Sequence, residues 1–117
     1  MNQRKRLRGK QGENKALNYL LELGHSVISR NFRTPYGEID IISKKTDCIY
    51  FIEVKTRKND VKGKPYESVN PAKLNHMKMA AQRFLLQNSY KDYKLKLAVI
   101  SILMDINRID FWDDIEF

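Results

Sequence analysis

Gly37-Glu38-Ile39-Asp40-Ile41-Ile42, followed after a short polar link by Phe51-Ile52-Glu53-Val54-Lys55-Thr56-Arg57, is the stretch on which the reading of this chain turns. Both runs alternate charged and apolar side chains, the period of a strand with one face buried. Alternation puts Glu38, Asp40 and Ile42 on one face of the first run, and Phe51, Glu53, Lys55 and Arg57 on one face of the second. Strands are expected over Glu38 to Ile42 and Ile49 to Thr56, joined by the polar residues from Ser43 to Asp47. A hairpin centred on Thr46–Asp47 sets Asp40 opposite Glu53 and Glu38 opposite Lys55. Opposed Cβ atoms then lie about 4.5–5.5 Å apart, close enough for two carboxylates to share one cation. Ile39, Ile41, Ile52 and Val54 are expected to line the other face and anchor the hairpin in the core.

Carboxylates crowded on a sheet repel each other and resist desolvation, so the arrangement is costly without a cation or a basic partner. Oxygen-only donors suit Mg²⁺ or Mn²⁺, which keep waters in their remaining positions. Such an ion activates a water and stabilises negative charge on a phosphate. Lys55 is placed to orient that water or to neutralise the phosphorus centre, with Glu38 and Arg57 in support. The competing reading is a solvent-facing strand pair with Glu–Lys contacts of little energetic weight. Glu13 heads the helical stripe Ala16, Leu17 and Leu20. It either caps the helix start or points into a site.

Outward from this centre the chain reads as one mixed α/β unit. A helix from about Gly12 stops at Gly24, and residues 26–32 form a first strand ended by Pro35, Tyr36 and Gly37. Asn70-Pro71 signals a helix start, with Asn as cap and Pro at the first position. Leu74, Met77, Ala81, Phe84 and Leu85 are its apolar stripe, and Asn88 its terminator. Lys94 to Leu103 is a strongly apolar strand, with Arg108 to Trp112 pairing on it as an edge. The expected order is therefore helix, three strands, helix, one or two strands around a central sheet.

The 117 residues carry 22 Lys and Arg against 14 Asp and Glu, a net charge of +8 that favours a polyanionic partner. Basic residues gather in a flexible arm over the first ten residues (Arg4, Lys5, Arg6, Arg8, Lys10), in a mobile loop from Arg57 to Glu67 that includes Lys58, Lys62 and Lys64, and on the second helix (Lys73, Lys78, Arg83). These are the expected phosphate contacts on DNA or RNA. A single cysteine, Cys48, excludes an internal disulfide. With no apolar run of membrane length, no membrane role and a cytoplasmic setting are expected. His25 and His76 have no His or Cys partner at ligand spacing and are read as surface residues.

Gly12-Glu13, Ala16, Arg30-Asn31, the two strand motifs and Val69 to Lys73 resemble the uncharacterised bacterial YraN-like proteins. That family is similar to the archaeal Holliday-junction resolvases within the PD-(D/E)xK nucleases. The resemblance implies a restriction-endonuclease-like core in which Asp40 and Glu53 bind divalent metal, Lys55 is catalytic and Glu13 contributes from the first helix. Two positions depart from the superfamily pattern. Ile39 replaces the usual proline, and Lys96-Leu97-Ala98 stands where Arg-Phe-Asp is common. The resemblance implies a Mg²⁺- or Mn²⁺-dependent endonuclease acting on structured or branched DNA, working as a homodimer if it resolves four-way junctions. The alternatives are a non-catalytic DNA- or RNA-binding module of the same fold, and an accessory protein whose basic face binds a protein.

Overall fold

The computed structural model describes residues 3–59, 61 and 69–115. Helix α1 (Gln3–Glu22) leads into strands β1 (Ser26–Thr34), β2 (Gly37–Lys45) and β3 (Cys48–Arg57). Helix α2 (Pro71–Gln87) crosses to β4 (Lys94–Leu103), and β5 (Arg108–Trp112) closes the order. The five strands lie side by side as β1-β2-β3-β4-β5, with β3 and β4 parallel and the other neighbours antiparallel. The mixed α/β architecture and its element order are those read from the sequence.

The parallel pair is the centre of the sheet, and parallel strands need cover on both faces. Successive residues of β3 therefore enter different cores. Phe51 packs with Leu74, Met77, Ala80, Ala81 and Phe84 of α2, while Ile52 packs with Ala16 and Leu20 of α1. The two helices accordingly cover opposite faces. Phe51, Ile52 and Ile100 are fully buried, and side chains of that size stabilise the fold by about 1.5–3 kcal/mol each. Ala98 is also fully buried, in the α1-side layer. Ala98, the last residue of the Lys96-Leu97-Ala98 run, is thus a packing element.

Local signals account for the element ends. Asn70 accepts a hydrogen bond from the Lys73 N–H at 2.9 Å, with Pro71 at the first helical position. Asn88 closes α2 by donating its own N–H to the Phe84 carbonyl. Gly24 adopts φ 91° after α1, and His25 N–H returns to the Leu20 carbonyl at 2.9 Å. Lys45 pairs with Cys48, so the β2–β3 turn is Thr46–Asp47, and residues 43–45 of the expected polar link belong to β2.

Three expectations are corrected. The basic residues taken for a flexible arm lie on helix, because α1 begins at Gln3 and the segment up to Leu7 holds good helix formers with no Gly or Pro. His25 is buried, 5% exposed, with Nδ1 2.9 Å from Ser43 Oγ and its ring edge-on to Tyr50. Burial lowers its pKa below the usual imidazole value, and the Lys45 charge adds to that. His76 is exposed as expected. Finally, Ile39 does not share a face with Ile41: it joins the α2-side core, whereas Ile41, Ile52 and Val54 join the α1 side. The alternation breaks where β2 leaves β3. Much of the expected mobile loop, residues 60 and 62–67, lies outside the described residues.

Helix α1 lies close against β3 at Gly12. A methyl there collides with Thr56 Oγ1 and lies 3.0 Å from Thr56 Cβ, which no χ1 rotation moves. Gly9, one turn earlier, has open space around it. Gly12→Ala is expected to destabilise the protein by about 1–3 kcal/mol despite its better helix propensity. Gly9→Ala is expected to stabilise by up to about 1 kcal/mol. Urea unfolding of the two variants beside the parent reads both signs.

Candidate metal and phosphate site

The β2–β3 ladder runs from Lys45–Cys48 to Ile41–Ile52 and stops there. Beyond that point β2 stays with β1, through Phe32–Ile39, Arg33–Glu38 and Thr34–Gly37. Strand β3 stays with β4 through Arg57–Leu103. The sheet is therefore split at one end, and the split exposes backbone donors that a continuous ladder would satisfy. Asp40 fills this place: its Oδ2 accepts from the Val54 N–H at 2.8 Å. The expected Asp40–Glu53 ladder pair is thus replaced by a fork, across which the Asp40 carboxylate caps a β3 amide.

Glu53, at the root of the fork, is 6% exposed. Its Oε1 lies 3.3 Å from Lys55 Nζ and 3.5 Å from Lys73 Nζ, the latter carried by α2. Glu38, expected opposite Lys55, lies across from Arg33 instead, with its Oε2 3.8 Å from Arg33 Nε. That loss follows from the fork, which removes Glu38 from β3's neighbourhood. Glu13 reaches the same region from α1, its Oε2 3.7 Å from Arg30 Nη2 on β1. Glu13, Asp40, Glu53, Lys55, Thr56 and Arg57 line one open groove of about 390 Å³, with Gly9 at its rim.

The electrostatics follow from burial. Desolvation, and then the neighbouring Glu53 charge, push the Asp40 carboxyl up to about 7, against the lowering effect of the Val54 N–H. Burial also raises Glu13, offset in part by Arg30. Among the described residues Asp40 forms no ion pair, whereas Glu53 and Glu13 each have a cationic partner. No group of three His, Cys, Asp or Glu side chains converges as a metal cage among the described residues. Two carboxylates beside an open groove nonetheless fit a hard cation that keeps most of its waters. Glu13 lines the same groove, with Arg30 as its ion-pair partner.

Of the expected phosphate contacts, Lys58 and Lys78 are exposed, while Lys73 is half-buried. Arg4, Lys5, Arg6 and Arg8 lie on the first turns of α1, and Lys62 and Lys64 lie outside the described residues. Sequence reasoning missed two features of the site. The Val54 backbone amide leaves no trace in residue identity. Lys73, expected as a surface phosphate contact, is held against Glu53, and the one local signal for this is its place in the capped first turn of α2. No helix among the described residues is long and apolar enough to cross a membrane.

The Asp40 shift has a measurable consequence. A carboxyl raised above its unfolded value favours the folded state when protonated, an advantage complete below pH about 4 and lost as pH rises through about 7. Asp40→Asn keeps an acceptor for the Val54 N–H and cannot ionise. In metal-free buffer the variant is expected to match the parent near pH 4. It should become more stable than the parent toward pH 8, by on the order of 2–4 kcal/mol. Taking the difference between variant and parent cancels the His25 contribution. Urea unfolding across that range tests it, and a difference independent of pH overturns the assignment.

The sequence comparisons cover the same region. A model described as "Uncharacterised protein family UPF0102" matches residues 12–110, a span that takes in Glu13, Asp40, Glu53, Lys55 and Lys73. A UPF0102 protein of Caldicellulosiruptor saccharolyticus is 36% identical over 102 residues, covering 87% of this chain and 86% of the relative. One from Thermodesulfovibrio yellowstonii is 45% identical over 94 residues, covering 80% and 83%. One from Clostridium kluyveri is 42% identical over 97 residues, covering 83% and 80%. The chain belongs to the UPF0102 family, the YraN-like proteins that its motifs resemble.

Proposed function

We propose that the protein is a divalent-metal-dependent phosphodiesterase acting on structured or branched DNA, with its chemistry at the β2–β3 fork. The observation that carries this reading is the pairing of a carboxyl raised to about 7, Asp40, with the buried Glu53 beside a solvent-open groove. Such crowding costs stability, and a cation offsets that cost. The resemblance to PD-(D/E)xK nucleases supports the same assignment of roles.

In this reading Asp40 and Glu53 hold Mg²⁺ or Mn²⁺, which supplies a bound water of lowered pKa and positive charge toward a phosphate oxygen. The Val54 N–H fixes the Asp40 carboxylate, so the ligand is positioned before the ion arrives. Lys55 lines the groove next to Glu53 and neutralises charge that grows on the phosphate during displacement. Arg57 and Lys58, exposed at the end of β3, steer the phosphate backbone toward the groove. Contacts of this kind position a nucleic acid without reading its bases, so selectivity is expected for structure over sequence.

A second reading, a non-catalytic nucleic-acid-binding module, is favoured by one observation. Glu53 already has two ammonium partners and needs no cation for charge balance. The two readings separate in a panel of labelled DNA and RNA structures incubated with Mg²⁺ or Mn²⁺. Wild-type protein is expected to cleave a branched DNA. Asp40→Asn and Glu53→Gln should lose Mn²⁺ binding and cleavage with DNA affinity equal or higher. Lys55→Ala should keep the metal and slow cleavage at least a hundredfold, with only a small loss of binding. DNA affinity should fall steeply between low and physiological salt. Binding without nicking of any substrate decides for the module.

A further inference from the structure

Both ammonium groups that meet Glu53 do so at the same oxygen, Oε1. Its side chain is 8% exposed, so its charge has to be matched locally. Lys55 does this from two residues along the same strand. Lys73 does it from α2, the helix that covers the Phe51 face of β3. The Asn70 cap, bonded to the Lys73 N–H, sets Lys73 in the helix's first turn. That turn contains no acidic residue, and the positive end of a helix disfavours a cation. An ammonium held there needs an anion against it, and among the described residues its ion-pair partner is Glu53.

A divalent cation upsets this balance of charge. Ionised Asp40 and Glu53 balance Lys55 and Lys73, while Glu13 and Arg30 balance each other. Placing the cation on Asp40 and Glu53 leaves two surplus positive charges. Glu53 Oε1 then serves the ion, and the more loosely held ammonium has to find another anion. Lys73 is that group: it stands in the first turn of α2, whose positive end disfavours a cation, whereas Lys55 shares its strand with Glu53. It also borders a small pocket of about 30 Å³ with Tyr36, Glu38 and His76, which gives the ammonium room to swing but none for a nucleotide.

We propose that Lys73 is a cation-displaced phosphate clamp. It neutralises Glu53 in the cation-free protein, and turns to a backbone phosphate of the nucleic acid when a divalent cation takes Glu53. The inference rests on the reading of Asp40 and Glu53 as a metal site and adds a coupling to it. Cation binding releases the clamp and so raises affinity for phosphate, and phosphate binding raises affinity for the cation by the same factor. Lys73 is a positioning residue here, acting on the reaction through Glu53 and through the substrate backbone.

The test uses the full chain and two readouts besides activity. Mn²⁺ binding is measured by calorimetry without DNA for the wild type, Lys73→Met, Lys73→Gln and Lys73→Arg. Affinity for a labelled four-way junction is measured by anisotropy with and without Mn²⁺, with the DNA checked as intact on a gel. Removing the competing ammonium is expected to tighten Mn²⁺ binding by roughly three- to tenfold in Lys73→Met and Lys73→Gln. The same variants should lose most of the gain in junction affinity that Mn²⁺ gives the wild type, and Lys73→Arg should restore both values. A lysine that merely braces Glu53 gives the opposite sign, weaker Mn²⁺ binding on removal. That outcome, or an undiminished Mn²⁺-dependent gain, overturns this inference alone. Absence of saturable Mn²⁺ binding by the wild type overturns the metal-site reading, and this inference with it.

Discussion

The hydrogen bond from the Val54 N–H to the Asp40 carboxylate is the constraint around which the candidate site is arranged. Strands that part inside a sheet leave backbone donors with no partner, and a buried donor without one costs about 1–3 kcal/mol. Here a side chain takes over from the missing strand. Because that acceptor is a carboxylate, meeting the backbone requirement brings an ionisable group into a largely desolvated place. Glu53 lies one residue from the amide that Asp40 caps, so the second carboxylate arrives with it. The raised proton affinity of Asp40, the two ammonium groups on Glu53 and the groove above them all follow from the split between β2 and β3.

The split is tolerated because the strands beside it are held from elsewhere. Strand β3 keeps its whole length paired with β4. Its path continues in the bonds from Met104 N–H to the Arg57 carbonyl and from Asp105 N–H to the Lys58 carbonyl, both at 2.9 Å. Strand β2 keeps its free end on β1. Ile39 drives into the α2-side core while Ile41 drives into the α1 side, so the residue between them is held from both faces. The polar groups thus stand on rigid elements, the condition under which a site keeps its geometry. Placement at the C-terminal half of a parallel strand also agrees with the general habit of open α/β sheets.

Charge around the fork is organised in pairs drawn from separate elements. Arg30 of β1 serves Glu13 of α1, and Lys73 of α2 joins Lys55 of β3 on Glu53. The Glu13–Arg30 and Glu53–Lys73 pairs each tie a helix to the sheet while keeping a carboxylate beside the groove. Contacts of 3.3–3.7 Å in a partly hydrated setting are matched but exchangeable. A divalent cation or a phosphate can then compete for the same atoms. The positive excess of the chain, +8 overall, supplies the long-range attraction that such an exchange needs.

The strands, the helix caps and the identity of the charged residues were legible in the sequence because each rests on local rules. Period-two alternation marked β2 and β3, Asn70-Pro71 marked the start of α2, and the Thr46–Asp47 turn fixed the register of the hairpin's closed end. Alternation also placed Asp40 and Glu53 within reach of each other. What local rules could not supply was the end of the ladder. Whether two strands stay paired depends on what covers each of them, and that is decided by α1 docking at Gly12–Thr56 and by α2 packing through Leu74 and Met77. The fork, the Asp40–Val54 bond, the removal of Glu38 from Lys55, the burial of His25 and the entry of Lys73 are all products of that packing. The sequence determined which charges the protein carries and on which strands. Tertiary structure alone decided which of them meet, because side chains distant in the chain share an oxygen only after both faces of the sheet are covered.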